Sequence, residues 1–181
     1  MLARALPALL VAFLLASAAA PPPSEPATAA PPSVHIVVVG ASNTHGFYIE
    51  KSAAYPALLE DLLRAQGFDA RVKNAGRPFD TTGKMRKRLD KDVPDGTDLV
   101  ILHPGQNDRF LFYPERRRAA NIAAMRQSLR ARAIIVLLYE DEVGRRYYGF
   151  DGIHLTPEGH AAVAAALLPR VLTLLAAPAA P

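Results

Sequence analysis

The chain contains a serine, a histidine and an aspartate that could act together to cleave an ester. Ser42 follows a β-branched run that ends at Gly40, and Asp151 stands three residues before His154 near the other end of the chain. A serine hydroxyl is a weak nucleophile that needs a neighbouring base, and a histidine serves when a carboxylate holds its imidazole in the right tautomer. We therefore predict Ser42 as the nucleophile, His154 as the base and Asp151 as its orienting acid.

The same reaction needs N–H donors for the negative charge on the tetrahedral intermediate. Three groups are candidates because each stands at the end of a predicted strand: the backbone N–H of Ser42, the backbone N–H of Gly76 and the side-chain amide of Asn107. We predict that these three groups form the oxyanion hole.

Strands and helices alternate along the chain around these residues. Strands are predicted at 34–39, 69–74, 98–103 and 133–138. Helices are predicted at 54–66, 82–89, 114–130 and 157–168, with Pro169 as the point where the last helix stops or restarts. This alternation predicts an α/β fold with helices on both faces of a parallel sheet. Ligands of such sheets bind at the carboxyl ends of the strands, where the predicted site residues stand.

The order of these motifs resembles the SGNH (GDSL-type) esterase and lipase superfamily. The resemblance rests on Ser42, Gly76, Asn107 within Gly-x-Asn-Asp, and Asp151-x-x-His154. It implies a three-layer, flavodoxin-like α/β/α sandwich with a mostly parallel sheet of four to five strands. It also implies a serine esterase, a carboxylic ester hydrolase that needs no metal or organic cofactor.

The chain departs from the family pattern at two places. Ala41 stands where the family's name-giving motif has aspartate, and only about a dozen residues separate the fourth strand from Asp151. A fifth strand is therefore expected to be vestigial or missing. We expect an open, shallow site that favours small or surface-bound acyl esters.

Aromatic side chains flank the predicted site. Phe110 follows the Asn107 loop, and Tyr147 and Tyr148 precede Asp151. These three residues are predicted to bind substrate, with closure of the core as the alternative. The basic runs at 84–88, 116–118 and 145–146 are interpreted as solvated faces.

Neither a metal site nor a cofactor site is predicted. The chain has no cysteine, and its candidate ligands His45, His103 and His160 lack the spacing of a metal motif. The formal net charge of +4 is too small and too scattered to indicate a nucleic-acid partner. The expected partner is a small-molecule or polymer-borne ester, and the oligomeric state stays open.

The chain ends are expected to lie outside the catalytic domain. Residues 1–18 are predicted to be a signal peptide, 19–33 a Pro/Ala-rich linker, 34–177 the SGNH hydrolase domain and 178–181 a tail. The N-terminal apolar run is too short for a stable membrane span. We expect a protein that is exported to the periplasm or secreted.

Other functions stay open at this point. Within enzymes they are a carbohydrate O-acetylesterase or acetyltransferase and an acyl thioesterase. From another class, the fold could serve as a catalytically silent carbohydrate- or lipid-binding module. The joint presence of Ser42, Asn107, Asp151 and His154 favours the enzyme.

Overall fold

A computed structural model of the chain describes residues 30–140 and 143–177. The strands are β1 (Ser33–Gly40), β2 (Asp69–Gly76), β3 (Leu99–His103) and β4 (Ile135–Leu138). The helices are α1 (Ser42–His45), α2 (Tyr55–Ala65), α3 (Thr82–Asp92), α4 (Asn107–Phe110), α5 (Glu115–Ala131) and α6 (Pro157–Ala176). Single 3₁₀ turns lie at Lys51–Ala53 and Arg145–Tyr147. The four strands form a parallel sheet in the order β2-β1-β3-β4, which confirms the predicted fold class.

The sheet is covered on both faces because its central strands are apolar on both faces. In β1, Ile36 and Val38 belong to a buried cluster that also contains side chains of α2 and α6. Val37 and Val39 belong to a second cluster that contains side chains of α3 and α5. Successive side chains of a strand point to opposite faces, so the two clusters are the two helix–sheet interfaces of a three-layer sandwich.

The described residues contain no fifth strand, in agreement with the short segment after the fourth. Between β4 and Asp151 the described chain forms the Arg145–Tyr147 turn instead. A single antiparallel bridge pairs Tyr148 with Leu155 and closes the loop that carries Asp151 and His154. The loop is therefore closed by its own bridge and is not paired with a strand of the sheet.

Helix α6 continues through Pro169, so the predicted stop at this proline is wrong. Proline removes one intrahelical N–H, which costs about 3 kcal/mol in a helix interior. Leu167 and Val171 are fully buried on either side of Pro169, and their burial offsets this cost. Among the described helices, α6 alone is long and apolar enough to cross a membrane by length and composition. Its inner face packs in the core.

Two of the predicted solvated basic runs each contain a buried arginine. Arg88 in α3 and Arg118 in α5 are almost completely shielded from solvent. Arg118 forms an ion pair with Glu140 at 2.6 Å and thereby joins α5 to the end of β4. The interpretation of both runs as wholly solvated was wrong, because a guanidinium paired with carboxylates can be buried.

Candidate active site

Ser42 begins α1 directly after the first strand, at the carboxyl edge of the sheet. Gly40 permits this sharp transition, because a Cβ at this position would lie 1.9 Å from Thr44 Oγ1. In the described part of the chain Ser42 Oγ forms no hydrogen bond, so its hydroxyl is unengaged. Contacts between nucleophile and base in ligand-free enzymes are often long and tighten when substrate binds.

Thr44 anchors α1 through a buried polar cluster that it forms with Tyr55 and His103. Its Oγ1 lies 2.8 Å from Tyr55 Oη, and Tyr55 Oη lies 3.0 Å from His103 Nδ1. All three side chains are buried, so each hydrogen bond is made without competition from water. The cluster fixes the turn that carries Ser42 relative to β3 and α2.

The imidazole of His154 is oriented by Asp151. Asp151 Oδ2 lies 2.6 Å from His154 Nδ1, and Asp151 Oδ1 accepts the backbone N–H groups of Ile153 (2.9 Å) and His154 (3.0 Å). These donors, led by the His154 backbone N–H, lower the pKa of Asp151 to about 2. Because an ionised carboxylate only accepts, Nδ1 carries the proton and Nε2 is left as a base.

Asn43 joins the serine loop to the histidine loop. Its Nδ2 donates to the Ile153 carbonyl at 3.1 Å, and its Oδ1 accepts the Leu155 N–H at 3.1 Å. Both bonds link residues on either side of His154 to the residue that follows Ser42. Sequence reasoning missed Asn43, since nothing in its local pattern points to partners more than a hundred positions away.

Asn107 reaches the site from the third strand-end loop. Its Nδ2 donates to the Asp80 carbonyl at 2.8 Å, which leaves the second N–H of this amide free to donate elsewhere. The next residue, Asp108, accepts both the N–H (2.8 Å) and the hydroxyl (2.7 Å) of Thr82. The Asn107 loop is therefore anchored to the start of α3.

Gly76 lies at the predicted strand end, but its N–H already donates to Asn74 Oδ1 at 2.9 Å. Donation to an oxyanion would require this bond to break, so the geometry does not support the predicted role. The structure gives another reason for glycine here. A Cβ at this position would lie 2.2 Å from the backbone nitrogen of His45, so α1 can pack on β2 only over a glycine.

Arg88 ties two of the strand-end loops together. Its Nε donates to Asp80 Oδ2 at 2.6 Å and its Nη2 donates to the Gly40 carbonyl at 3.0 Å, while Nη1 pairs with Asp92. Asp80 also supplies the carbonyl that accepts from Asn107. This buried ion cluster therefore sets the position of the Asn107 amide relative to the turn before Ser42.

The predicted substrate-binding aromatics separate into two groups. Phe110 lines a small cavity of about 20 Å³ together with Ser42, Asn107 and Ile153. Tyr147 and Tyr148 instead pack against the core cluster of α2 and α6, so the alternative of core closure describes them better.

Two aromatic residues that the sequence analysis did not select contact the predicted base. Phe47 stacks on the His154 ring with centroids 4.8 Å apart, and Tyr48 meets it edge-on at 5.3 Å. Both follow Ser42 by five to six residues, and this proximity in sequence is the signal that could have identified them.

Residues 30–140 and 143–177 hold no cluster of three or more histidine, aspartate or glutamate side chains that could bind a metal ion. Two of the histidines that were considered as metal ligands have other partners. His103 belongs to the buried polar cluster with Thr44 and Tyr55, and His160 Nδ1 accepts the Tyr55 N–H at 3.2 Å.

Known proteins resemble this chain in sequence and in fold. An arylesterase of Vibrio mimicus is 29% identical over 120 residues, which span 64% of this chain and 60% of the relative. Esterase TesA of Pseudomonas aeruginosa is 32% identical over 104 residues, which span 57% of this chain and 52% of the relative. The matched segments thus span a little more than half the length of each relative.

The solved structure of the psychrotrophic esterase EstA from a Pseudoalteromonas species superposes with a TM-score of 0.68 at 16% identity. The match covers 78% of this chain and 98% of that one, and it shows a common fold. Residues 38–146, which include Ser42 and Asn107, match the GDSL-like lipase/acylhydrolase family. Since this match covers more than half of the chain and agrees with the fold and the loop order, the protein belongs to the GDSL-like lipase/acylhydrolase family.

Proposed function

We propose that the protein is an exported serine esterase that cleaves carboxylic esters through an acyl-enzyme on Ser42. The observation that carries this proposal is the 2.6 Å contact between His154 Nδ1 and Asp151 Oδ2, in a loop that Asn43 ties to the Ser42 turn. Relatives named arylesterase and esterase support the same reaction class.

In the first half of the reaction, Ser42 Oγ attacks the ester carbonyl carbon while His154 Nε2 takes the hydroxyl proton. Asp151 stabilises the imidazolium that forms and does not itself take the proton. The tetrahedral intermediate collapses when the bond to the alkoxide breaks and His154 gives its proton to that oxygen. The alcohol leaves, and the acyl group stays on Ser42.

In the second half, water attacks the acyl carbon and gives a proton to His154 Nε2. The intermediate collapses with release of the carboxylic acid, and the proton returns to Ser42 Oγ. The proton taken from Ser42 Oγ is replaced at the end of the cycle, and each bond formed to the acyl carbon is matched by one that breaks. The cycle therefore needs no metal or organic cofactor.

Two donors are available for the oxyanion. The Ser42 N–H is one of the first amides of a helix, which lack intrahelical acceptors, and the second N–H of Asn107 Nδ2 is not used by Asp80. The Gly76 N–H would join them only after leaving Asn74. Each such donor contributes about 10²–10³ to turnover.

The small cavity supports a preference for small or surface-bound acyl esters. A space of about 20 Å³ holds roughly one water-sized group, so a long acyl chain would have to lie outside it. A rise in kcat/KM along p-nitrophenyl esters from acetyl to decanoyl would contradict this preference.

Export to the periplasm or the medium is the second part of the proposal. It rests on the pattern of residues 1–18, which lie outside the described residues. The N-terminal sequence of the protein recovered from its host would show a start at Ala19. A start at Met1 would contradict export by a cleaved signal.

The test of the catalytic proposal is a rapid-mixing experiment with p-nitrophenyl acetate. The parent shows a nitrophenol burst of about one equivalent, and a fluorophosphonate probe adds one adduct on Ser42 by mass spectrometry. Ser42→Ala loses the burst and the adduct, whereas Ser128→Ala, on an exposed face of α5, retains both. A folded parent without turnover or adduct would overturn the esterase and favour a binding module.

A further inference from the structure

Phe47 follows Ser42 in the same loop, but its ring contacts the proposed base. The ring stacks on the His154 imidazole with centroids 4.8 Å apart and planes at 30°. The backbone N–H of Phe47 donates to the Ser42 carbonyl at 3.1 Å. One residue therefore contacts the proposed nucleophile through its backbone and the proposed base through its side chain.

The backbone around Phe47 has an unusual conformation. Gly46 and Tyr48, its two neighbours, have positive φ values of 76° and 68°. Tyr48 is a bulky residue in the left-handed region, and its ring is 71% exposed, so burial of the ring does not offset the strain. The Tyr48 ring instead meets the His154 imidazole with centroids 5.3 Å apart and planes at 82°. Backbone strain of this kind concentrates at functional sites, where surrounding contacts maintain it.

The proposed base changes its charge during the reaction, and an aromatic face responds to that change. In each half of the proposed cycle His154 passes from a neutral imidazole to an imidazolium. The face of an aromatic ring carries the negative part of its quadrupole, so it attracts a cation more strongly than a neutral group. Phe47 is therefore expected to stabilise the charged His154 of the transition states more than the neutral His154 of the free enzyme. Such a difference is what lowers a barrier.

Charged side chains lie on each element around the imidazole. The loop after β1 carries His45, Glu50 and Lys51, and the first turn of α6 carries Glu158. The described part of the His154 loop carries Glu140, Arg145, Arg146 and Asp151. Asp151 contacts the edge of the imidazole at Nδ1, and the Tyr48 phenol ring also contacts it. His45 and Lys51 contact main-chain carbonyls at 3.3 Å and 3.0 Å. All these groups stay in place when Phe47 is replaced, so a replacement isolates the effect of the stacked ring.

We propose that Phe47 is a positioning residue of the reaction, whose ring holds the plane of the His154 imidazole and stabilises the imidazolium. Asn43 fixes the backbone on either side of His154, and Phe47 fixes the ring itself. The proposal rests on the proposed esterase function for its role in turnover, whereas the contact between the two rings does not depend on that function.

The test is the pH dependence of kcat/KM for p-nitrophenyl acetate in Phe47→Leu, with Phe47→Met as a second variant without a ring. At alkaline pH we expect kcat/KM to fall about two- to fivefold, because the imidazolium of the transition state loses its π partner. The pH of half-maximal kcat/KM should move about 0.4–0.7 unit lower, since the imidazolium of the free enzyme loses the same contact. The parent and the variants therefore converge as the pH falls. A merely displaced base would instead lower kcat/KM by one factor at every pH.

Two further variants control this experiment. Phe47→Tyr keeps an aromatic face and should recover the parent profile. Phe112→Leu makes the same exchange at a side chain that is 93% exposed in the loop after β3, and it should follow the parent.

A measurement without turnover separates this proposal from the esterase. The Cε1–H resonance of His154, identified by its loss in His154→Gln, is titrated by NMR in the parent and in Phe47→Leu. Its midpoint should move lower by the same 0.4–0.7 unit, about. If the parent has no turnover but the midpoint moves, the proposed function is overturned and the stabilisation of the imidazolium by Phe47 is retained.

Four results would overturn the proposal for Phe47. They are a loss of kcat/KM by the same factor at every pH, a parent-like profile in both variants without a ring, a Phe47→Tyr variant as impaired as Phe47→Leu, and an unchanged midpoint of the His154 titration. The first and the third would reduce Phe47 to a packing residue that keeps the His154 loop in place.

Discussion

The buried imidazole of His160 is expected to make the fold sensitive to mild acid. The side chain is completely buried at the start of α6, where its Nδ1 accepts the Tyr55 N–H at 3.2 Å. Burial, with a smaller contribution from His103, lowers the pKa of His160 to about 4. The folded state therefore holds this ring neutral where an unfolded chain would protonate it.

The size of the effect follows from proton linkage. An unfolded histidine has a pKa of about 6.5, so between pH 6.5 and pH 4 the unfolded state binds a proton that the folded state excludes. The free energy of unfolding then falls as the pH is lowered through this window. With a folded pKa of about 4, the loss between pH 7 and pH 5 is about 2 kcal/mol. Asp151, with a pKa of about 2, stays ionised over this range and adds nothing.

Urea unfolding followed by circular dichroism at pH 7, 6 and 5 measures this loss. His160→Asn keeps an acceptor for the Tyr55 N–H but has no titrating ring. The loss in its free energy of unfolding between pH 7 and pH 5 should therefore be about 2 kcal/mol smaller than that of the parent. His35→Asn, at an exposed position of β1, is the matched control and should follow the parent. If His160→Asn shows the same pH dependence as the parent, the buried neutral imidazole is not the source of the acid sensitivity.

Three further substitutions test the site. Asp151→Asn should lower kcat on p-nitrophenyl acetate by about 10⁴ with little change in melting temperature, because the imidazole loses its carboxylate partner. An unchanged kcat would show that Asp151 has no part in the mechanism. Asn107→Ala should lower kcat by about 10²–10³ with a nearly constant KM, since the donor acts on the transition state; a change in KM alone would point to ground-state binding. Arg88→Leu should lower the free energy of unfolding in urea by about 3–5 kcal/mol, because Asp80 loses its cation in a buried position and Asp92 keeps only the half-exposed Arg77. A loss below about 1 kcal/mol would mean that the cluster is solvated.

Much of the fold could be predicted because its signals are local. Each central strand is a short apolar run that ends at a turn residue, and Thr156-Pro157 begins α6 with a capping oxygen that accepts the Gly159 N–H. The continuation of α6 past Pro169 could not be predicted in this way. It depends on where Leu167 and Val171 meet the core, and this is settled by tertiary packing.

The candidate site, too, could be predicted where its signals are local and not where they depend on tertiary contacts. Ser42, Asp151 and His154 were identified by residue type and spacing, and the Asp151–His154 contact forms within one turn of chain. Their roles in catalysis stay predictions. The role of Gly76 could not be read from its position, because the hydrogen bond to Asn74 and the packing on α1 exist only in the folded chain. Arg88 was hidden in part, since Asp92 lies one turn away in the same helix, whereas Asp80 and the Gly40 carbonyl are brought to it from outside the helix.

The bridge made by Asn43 has a consequence for the order of assembly. It joins positions 110 and 112 residues apart, so the loop of His154 is tied to the turn of Ser42 only through one of the longest loop closures among the described residues. Such contacts form late, because the chain entropy lost in closing them is repaid only when neighbouring segments are already in place. A nascent chain that has completed β1 to β4 still lacks the proposed base, so the proposed hydrolysis of esters would begin only once residues 151–155 dock.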